Sequence, residues 1–172
     1  MPDAVLFDRV LLTGAMLLAV VLLGLLMRKG WRGRQRRQRE LPAPPVPPVN
    51  AGEPLLPATR GLFVGTTFAG DWLDRVAVHD LGHRAAGWLV VATDGVHVER
   101  EGLPDLYLPY AVLEGATLGD ALAGKIIGKD GMLLLHWRLG ERTLTSGFRA
   151  DDHDDHRLLA EAISAHLPAQ AQ

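Results

Sequence analysis

The densest group of potential ligands in the chain is the run Asp151-Asp152-His153-Asp154-Asp155-His156. Neutral imidazoles and carboxylates are the donors that zinc and nickel take, and His153 and His156 stand three apart, on one helical turn. One turn supplies two ligands, however, and a third must come from elsewhere. Acidic residues at a helix start are also accounted for by capping and by the helix dipole. No metal is therefore expected, His153 and His156 being the residues that would hold one. His79, His83, His97 and His136 are scattered, share no motif with a Ser, Asp or Glu, and accompany neither G-x-S-x-G nor H-E-x-x-H. Residues 124–129, GKIIGK, lack the order of a phosphate loop and precede a strand, so they read as a turn. The chain has no Cys, which removes thiol nucleophiles, disulfides and Cys-ligated zinc. No catalytic residue and no cofactor is expected, and the chain does not read as an enzyme.

These residues lie on a small β domain closed by a helix. Short β-type runs bounded by turn residues appear at 61–69, 73–81, 87–100, 106–119 and 131–149. Asp94-Gly95 predicts a two-residue hairpin turn. Pro109 predicts an edge or a bulge. The last hairpin folds at Leu139-Gly140-Glu141, with Leu144, Ser146 and Phe148 on one face and Thr143, Thr145 and Gly147 on the other. The period then changes: Leu158, Leu159, Ala162 and Ile163 recur at helical spacing. Asp151 or Asp152 can cap this helix, and Pro168 ends it. The expected fold class is mainly β: an N-terminal transmembrane helix plus a seven-strand barrel capped by a C-terminal α-helix.

Before the β domain, residues 10–27, VLLTGAMLLAVVLLGLLM, run for eighteen positions without a charge. As a helix they cover about 27 Å, close to a hydrocarbon core of about 30 Å. Val10, Leu17, Leu22 and Met27 stand for this anchor, and Thr13 can bond back to a carbonyl. A cleaved signal peptide would place its basic residues before a shorter apolar run. Here Arg28, Lys29, Arg32, Arg34, Arg36, Arg37 and Arg39 follow it, and Trp31 sits where an indole favours the headgroups. Such a collar contacts anionic lipid headgroups at about 1 kcal/mol per cation, a role that outranks nucleic-acid binding beside a membrane helix. By the positive-inside rule the N-terminus lies outside and the C-terminal domain is cytoplasmic, at the plasma (inner) membrane.

The near-neutral total conceals two halves. Residues 1–60 hold nine basic and four acidic side chains, and residues 61–172 hold nine basic and sixteen acidic. A net −7 domain opposes anionic headgroups: Arg75 and Arg84 stand beside Asp71, Asp74 and Asp80, and Lys125, Lys129 and Arg138 are the only candidates for a local basic patch. Seven prolines between Glu40 and Arg60 forbid helix and central strand, which predicts an extended spacer. The expected layout is a single transmembrane helix at 1–28, a basic stop-transfer and Pro-rich linker at 29–60, a β domain at 61–168 and a tail at 169–172. Trp72, Trp88 and Trp137 either fill the core or, if exposed, mark a partner site.

Taken together, the membrane helix, the Arg collar, the Pro-rich segment and the runs GLFVGTTFAGDWLDRV (61–76), GWLVVATDGVHVER (87–100) and LTSGFRADD (144–152) resemble the actinobacterial single-pass membrane proteins with a bacterial PH-like domain. Some of these are loosely labelled transporter or export protein. The resemblance covers essentially the whole chain and implies two bent antiparallel sheets with a closing helix; it transfers no active-site residue. The function expected is a binding or scaffolding module held at the membrane, with an unknown cytoplasmic or membrane protein as partner. An accessory subunit of a transport or export system is the alternative.

Overall fold

The computed structural model describes residues 2–126, 128 and 130–168, with side chains except at 2–8, 10, 34–37, 125 and 126. The expected tail at 169–172 and the side chains of Val10, Arg34, Arg36 and Arg37 lie outside the described residues. The chain forms two units, residues 1–39 and 40–172.

The first unit is helix α1, Pro2–Arg37. Its stretch Leu11–Gly33 has a mean hydropathy of 2.2 and is long and apolar enough to cross a membrane, a test that a signal sequence near an N-terminus also passes. Leu17, Leu22 and Met27 are exposed, as are leucines and valines on every side of the helix. A helix apolar all round needs a membrane or a large core to cover it. Thr13 Oγ1 donates to the Arg9 carbonyl at 2.8 Å, so the hydroxyl is satisfied within the helix.

The second unit is an antiparallel half-barrel. Its strands are β1 (Thr59–Phe68), β2 (Ala85–Ala92), β3 (Gly95–Arg100), β4 (Leu106–Pro109), β5 (Leu113–Gly119), β6 (Ala121–Leu122), β7 (Lys125–Ile126), β8 (Met132–Leu139) and β9 (Arg142–Ala150), followed by helix α2 (Asp155–His166). Seven of them form one sheet in the order β4-β3-β2-β1-β9-β8-β5, and β6 and β7 pair separately. β1 is the hinge of this sheet. Its first half pairs with β2 from Thr59↔Leu89 to Phe63↔Ala85. Its other edge pairs with β9 along almost the whole strand, from Gly61↔Ala150 to Phe68↔Leu144, with the register shifting between Phe63 and Gly65. This bulge bends the strand, and Gly65 adopts φ 131° there, a conformation an L side chain resists.

The concave side is the core: Phe63, Leu89, Val91, Val98, Leu106, Leu108, Leu135, Trp137, Leu144 and Phe148, closed by Leu159 and Ile163 of α2. Trp137 is fully buried and its indole N–H donates to Ser146 Oγ at 2.9 Å, which in turn shares a hydrogen bond with Thr66 Oγ1 at 2.8 Å. The expected mainly β fold with a closing helix is thus the observed one. Pro109 ends β4, which is an edge strand as anticipated. α2 starts at an N-cap Asp154 with no side-chain cap bond, and Asp152 accepts the Asp154 N–H at 3.0 Å. It ends at His166, with Leu167 extended ahead of Pro168, as a residue before proline prefers.

Four segments differ from the sequence expectation. Residues 73–81 form no strand but a loop that fills the edge of β1 left by β2. Val76 N–H donates to the Thr66 carbonyl and Thr66 N–H to that of Leu81, both at 2.9 Å. Its apolar Val76 and Leu81 are core residues, which is why it resembles a strand, while His79 and Asp80 at φ 56° and 54° break one. The β2–β3 turn is centred on Thr93-Asp94, one residue earlier than expected, because Gly95 pairs with Ala92. β9 is buried on both faces from Leu144 to Phe148. The β6–β7 hairpin covers its outer face, packing Leu122 with Val64 and Met132 in a second small core.

The fourth is the Pro-rich segment, which docks on the barrel instead of standing free of it. Leu41 is 7% exposed and belongs to the main core. Its carbonyl accepts a 2.8 Å hydrogen bond from His79 Nε2. At the far end Thr93 N–H donates to the Glu53 carbonyl at 3.0 Å and Leu55 N–H to that of Val91 at 2.8 Å. Leu55 and Leu56 pack on the core, whereas Val46 between the two anchors is 84% exposed. Only residues 38–40 remain to connect α1 to this docked arm. Leu41→Ala is therefore expected to destabilise the domain by about 2–4 kcal/mol, and Val46→Ala by less than about 0.5 kcal/mol. Denaturant unfolding of both variants checks this, and equal midpoints would mean that the arm is a mere spacer.

Candidate functional site

The groups that invite a chemical role are largely engaged by the fold itself. His156 is 2% exposed. Its Nε2 accepts the Ala150 N–H at 2.9 Å and its Nδ1 lies 2.9 Å from the His153 carbonyl, which fixes the Nδ1–H tautomer. Neither ring nitrogen is left for a metal, although the His153 and His156 rings lie edge to face at 5.5 Å. Among the described residues no group of three His, Cys, Asp or Glu is placed to hold a metal ion. His136 bridges three strands, with Nε2 at 2.8 Å from Thr117 Oγ1 and Nδ1 at 3.1 Å from Thr145 Oγ1. His97 lies on Asp94 at 3.1 Å and against the Tyr107 ring at 4.6 Å. Burial works to raise the Asp94 carboxyl, but the hydrogen bond and charge of His97, with the backbone N–H groups of Asp94 and Gly52, outweigh it and hold it low. His83 meets Asp80 at 3.3 Å on the surface.

The arginines tell the same story. Arg100 is 5% exposed and donates to the Pro104 carbonyl through Nε at 2.8 Å and through Nη2, and to the Asp80 carbonyl through Nη1 at 2.9 Å. Its guanidinium carbon lies 5.1 Å from the centroid of the Phe63 ring. Burial lowers its pKa, against the opposing pull of Asp80 and Asp105. Arg75 donates to the carbonyls of Gly82 at 2.6 Å and Ala123 at 2.8 Å. It ties the 69–84 loop to the β6–β7 hairpin, and burial and then Arg84 lower its pKa. Arg138 pairs with Glu114 at 2.7 Å beside a shallow cleft lined by Ala111, Val112 and Gly140. The side chains of Lys125 and Lys129 lie outside the described residues. Of residues 124–129, read as a turn, Gly124 lies in the β6–β7 turn at φ 77°, Lys125 and Ile126 form strand β7, and residues 127 and 129 lie outside the described residues.

What remains open to a partner is apolar. Trp88 is 41% exposed on the outer face of β2, flanked across the strands by Arg60 and Glu99. Trp72 is 42% and Leu73 57% exposed in the loop after β1. The sequence singled out both tryptophans without separating them from buried Trp137; strand parity would have separated Trp88, since its neighbours Gly87 and Leu89 face the core. The collar residues Arg28, Lys29, Arg32 and Arg39 are exposed on α1 or just beyond it.

Burial lowers the pKa of both His136 and His156. Both are neutral in the fold, so as pH falls through the ordinary value of about 6.5 the unfolded chain takes up protons first. Stability is then level above pH 6.5 and declines below it. Denaturant midpoints at pH 7.5 and 5.5 are expected to fall with acidification, less steeply in His156→Gln. A variant as steep as the native chain would show that His156 does not contribute.

No curated protein matches the chain. Among solved structures, it is similar to a chain of "The 8S snRNP Assembly Intermediate", at 10% identity and a TM-score of 0.47, with 76% of this chain and 94% of that chain covered. A family model described as "Bacterial PH domain-like" matches residues 41–164, a span that begins at the docked Leu41 and runs into α2. The chain belongs to the bacterial PH domain-like family.

Proposed function

We propose that this protein is a single-pass membrane protein whose PH-like domain is a binding or scaffolding module that retains a protein partner at the inner membrane. The observation that carries this reading is the division of labour in the chain. An exposed apolar helix stands beside a half-barrel whose buried His and Arg side chains are engaged by its own backbone and hydroxyls, leaving Trp88 as an exposed aromatic on a rigid sheet. Tryptophan in such a setting is the residue type most enriched at binding hot spots. PH-like folds also serve binding more often than chemistry, although a fold alone excludes no function.

In this reading residues 10–27 span the bilayer, with Val10, Leu17, Leu22 and Met27 in lipid. Arg28, Lys29, Arg32, Arg34, Arg36, Arg37 and Arg39 meet anionic headgroups on the cytoplasmic side, and residues 40–168 form the cytoplasmic domain. A reporter fused after Gln172 is expected to show cytoplasmic placement, and periplasmic activity would reverse the topology. Crosslinking in native membranes followed by mass spectrometry is expected to recover a protein partner that Trp88→Ala loses by tenfold or more. Undiminished recovery would remove Trp88 from the interface. A multi-pass permease as the crosslinked protein would make the chain an accessory subunit of a transport system.

A further inference from the structure

The outer face of the sheet around Trp88 carries an ordered charge pattern. Residues directly opposite on neighbouring strands share a face. Arg60 of β1 pairs with Trp88 of β2, and Trp88 pairs with Glu99 of β3, so the three form one row across the sheet. All three are exposed. Strands lie about 4.8 Å apart, which sets Arg60 and Glu99 about 10 Å from each other with the indole between them. The next row repeats the polarity. Leu62 pairs with Arg149 of β9 on one side and with Ala86 on the other. Beyond Ala86 stands Glu101, whose N–H donates to the Ala86 carbonyl at 2.9 Å. The middle of the patch is thus apolar, with arginines on the β9–β1 flank and carboxylates on the β3 flank. Asp151, 3.9 Å from Arg60, is a carboxylate on the arginine flank.

We infer that this face is a contact between two copies of the chain, packed sheet to sheet about a twofold axis that runs along β2 over Trp88. This names the partner in the binding reading above and rests on it. A twofold contact is isologous, each patch meeting the same patch on the other copy. Rotation about an axis along β2 exchanges the β1 and β3 flanks. Arg60 of each copy then faces Glu99 of the other, and the two Trp88 side chains meet at the centre. Rotation about an axis across the strands would instead set Arg60 against Arg60 and Glu99 against Glu99. The charges therefore select the first arrangement and fix its register. Its two sheets run with their strands nearly aligned, a common mode for sheets packed face to face. The facing charges form a rim around a tryptophan centre, where binding energy concentrates.

The test uses the full chain with two different tags, co-expressed and crosslinked in membranes, with recovery of one tag through the other as the readout. Native copies are expected to associate, and W88A to lower the association tenfold or more. R60E and E99R are each expected to do the same among like copies, because each sets like charges face to face. R60E mixed with E99R is expected to restore association, since every facing pair is then of opposite sign. The double variant R60E/E99R is expected to restore it for the same reason. Recovery in the mixture cannot arise within one chain, so it separates a contact from a folding defect. Loss in both single variants without recovery in the mixture overturns the arrangement. Association equal in the native chain, W88A and both charge variants overturns the second copy as the partner at Trp88. If W88A still loses a different crosslinked protein, the binding reading stands; if it loses none, both fall.

Discussion

The domain depends on β1 being able to serve two neighbours that run in different directions. A strand has two hydrogen-bonding edges, and here one of them changes partner along its length while the other keeps β9. β2 takes one edge only as far as Phe63↔Ala85, and the other edge follows β9 to Phe68↔Leu144. The register shift between Phe63 and Gly65 bends the strand so that both pairings survive. Backbone groups left behind by β2 must still be paired, and the irregular 74–81 loop does this through Asp74, Val76 and Leu81. The loop in turn needs Arg75 and Arg100 to bind its carbonyls. A bend in one strand therefore dictates an unusual loop, and the loop dictates two partly or wholly buried guanidinium groups.

Those arginines explain why so little of the chain's polar chemistry is directed outward. A guanidinium carries five donors in a fixed fork, and buried donors must be satisfied. Arg100 meets this need with carbonyls and the face of Phe63. His156 does the equivalent for the junction between β9 and α2, accepting one backbone N–H and donating to one carbonyl. In each case a residue that looks reactive in the sequence is a backbone staple in the fold.

The strands and α2 were legible because their periodicity reports burial directly: Leu144, Ser146 and Phe148 do face the core, and Leu159 and Ile163 do line the inner side of α2. The loop at 73–81 was misleading for the same reason, since Val76 and Leu81 are buried without being in a strand. The docked arm was not legible at all. Proline excludes regular hydrogen-bonded structure, but it does not prevent a flanking Leu41 from entering a core. The outward side of Trp88 was open to strand parity, that of Trp72 followed only from the loop's own hydrogen bonds, and the Arg75 contacts join positions that no sequence pattern links.

The arm also has a consequence in time. The arm emerges from the ribosome ahead of the residues that receive it: His79 for Leu41, Val91 and Thr93 for Leu55 and Glu53, and the turn at Gly140 for Pro42. It cannot be seated until nearly the whole half-barrel exists, because its seat is made of the barrel's late elements. Since domains form as units as they are synthesised, the arm is seated together with the late strands that receive it, when the α1 segment is already long made.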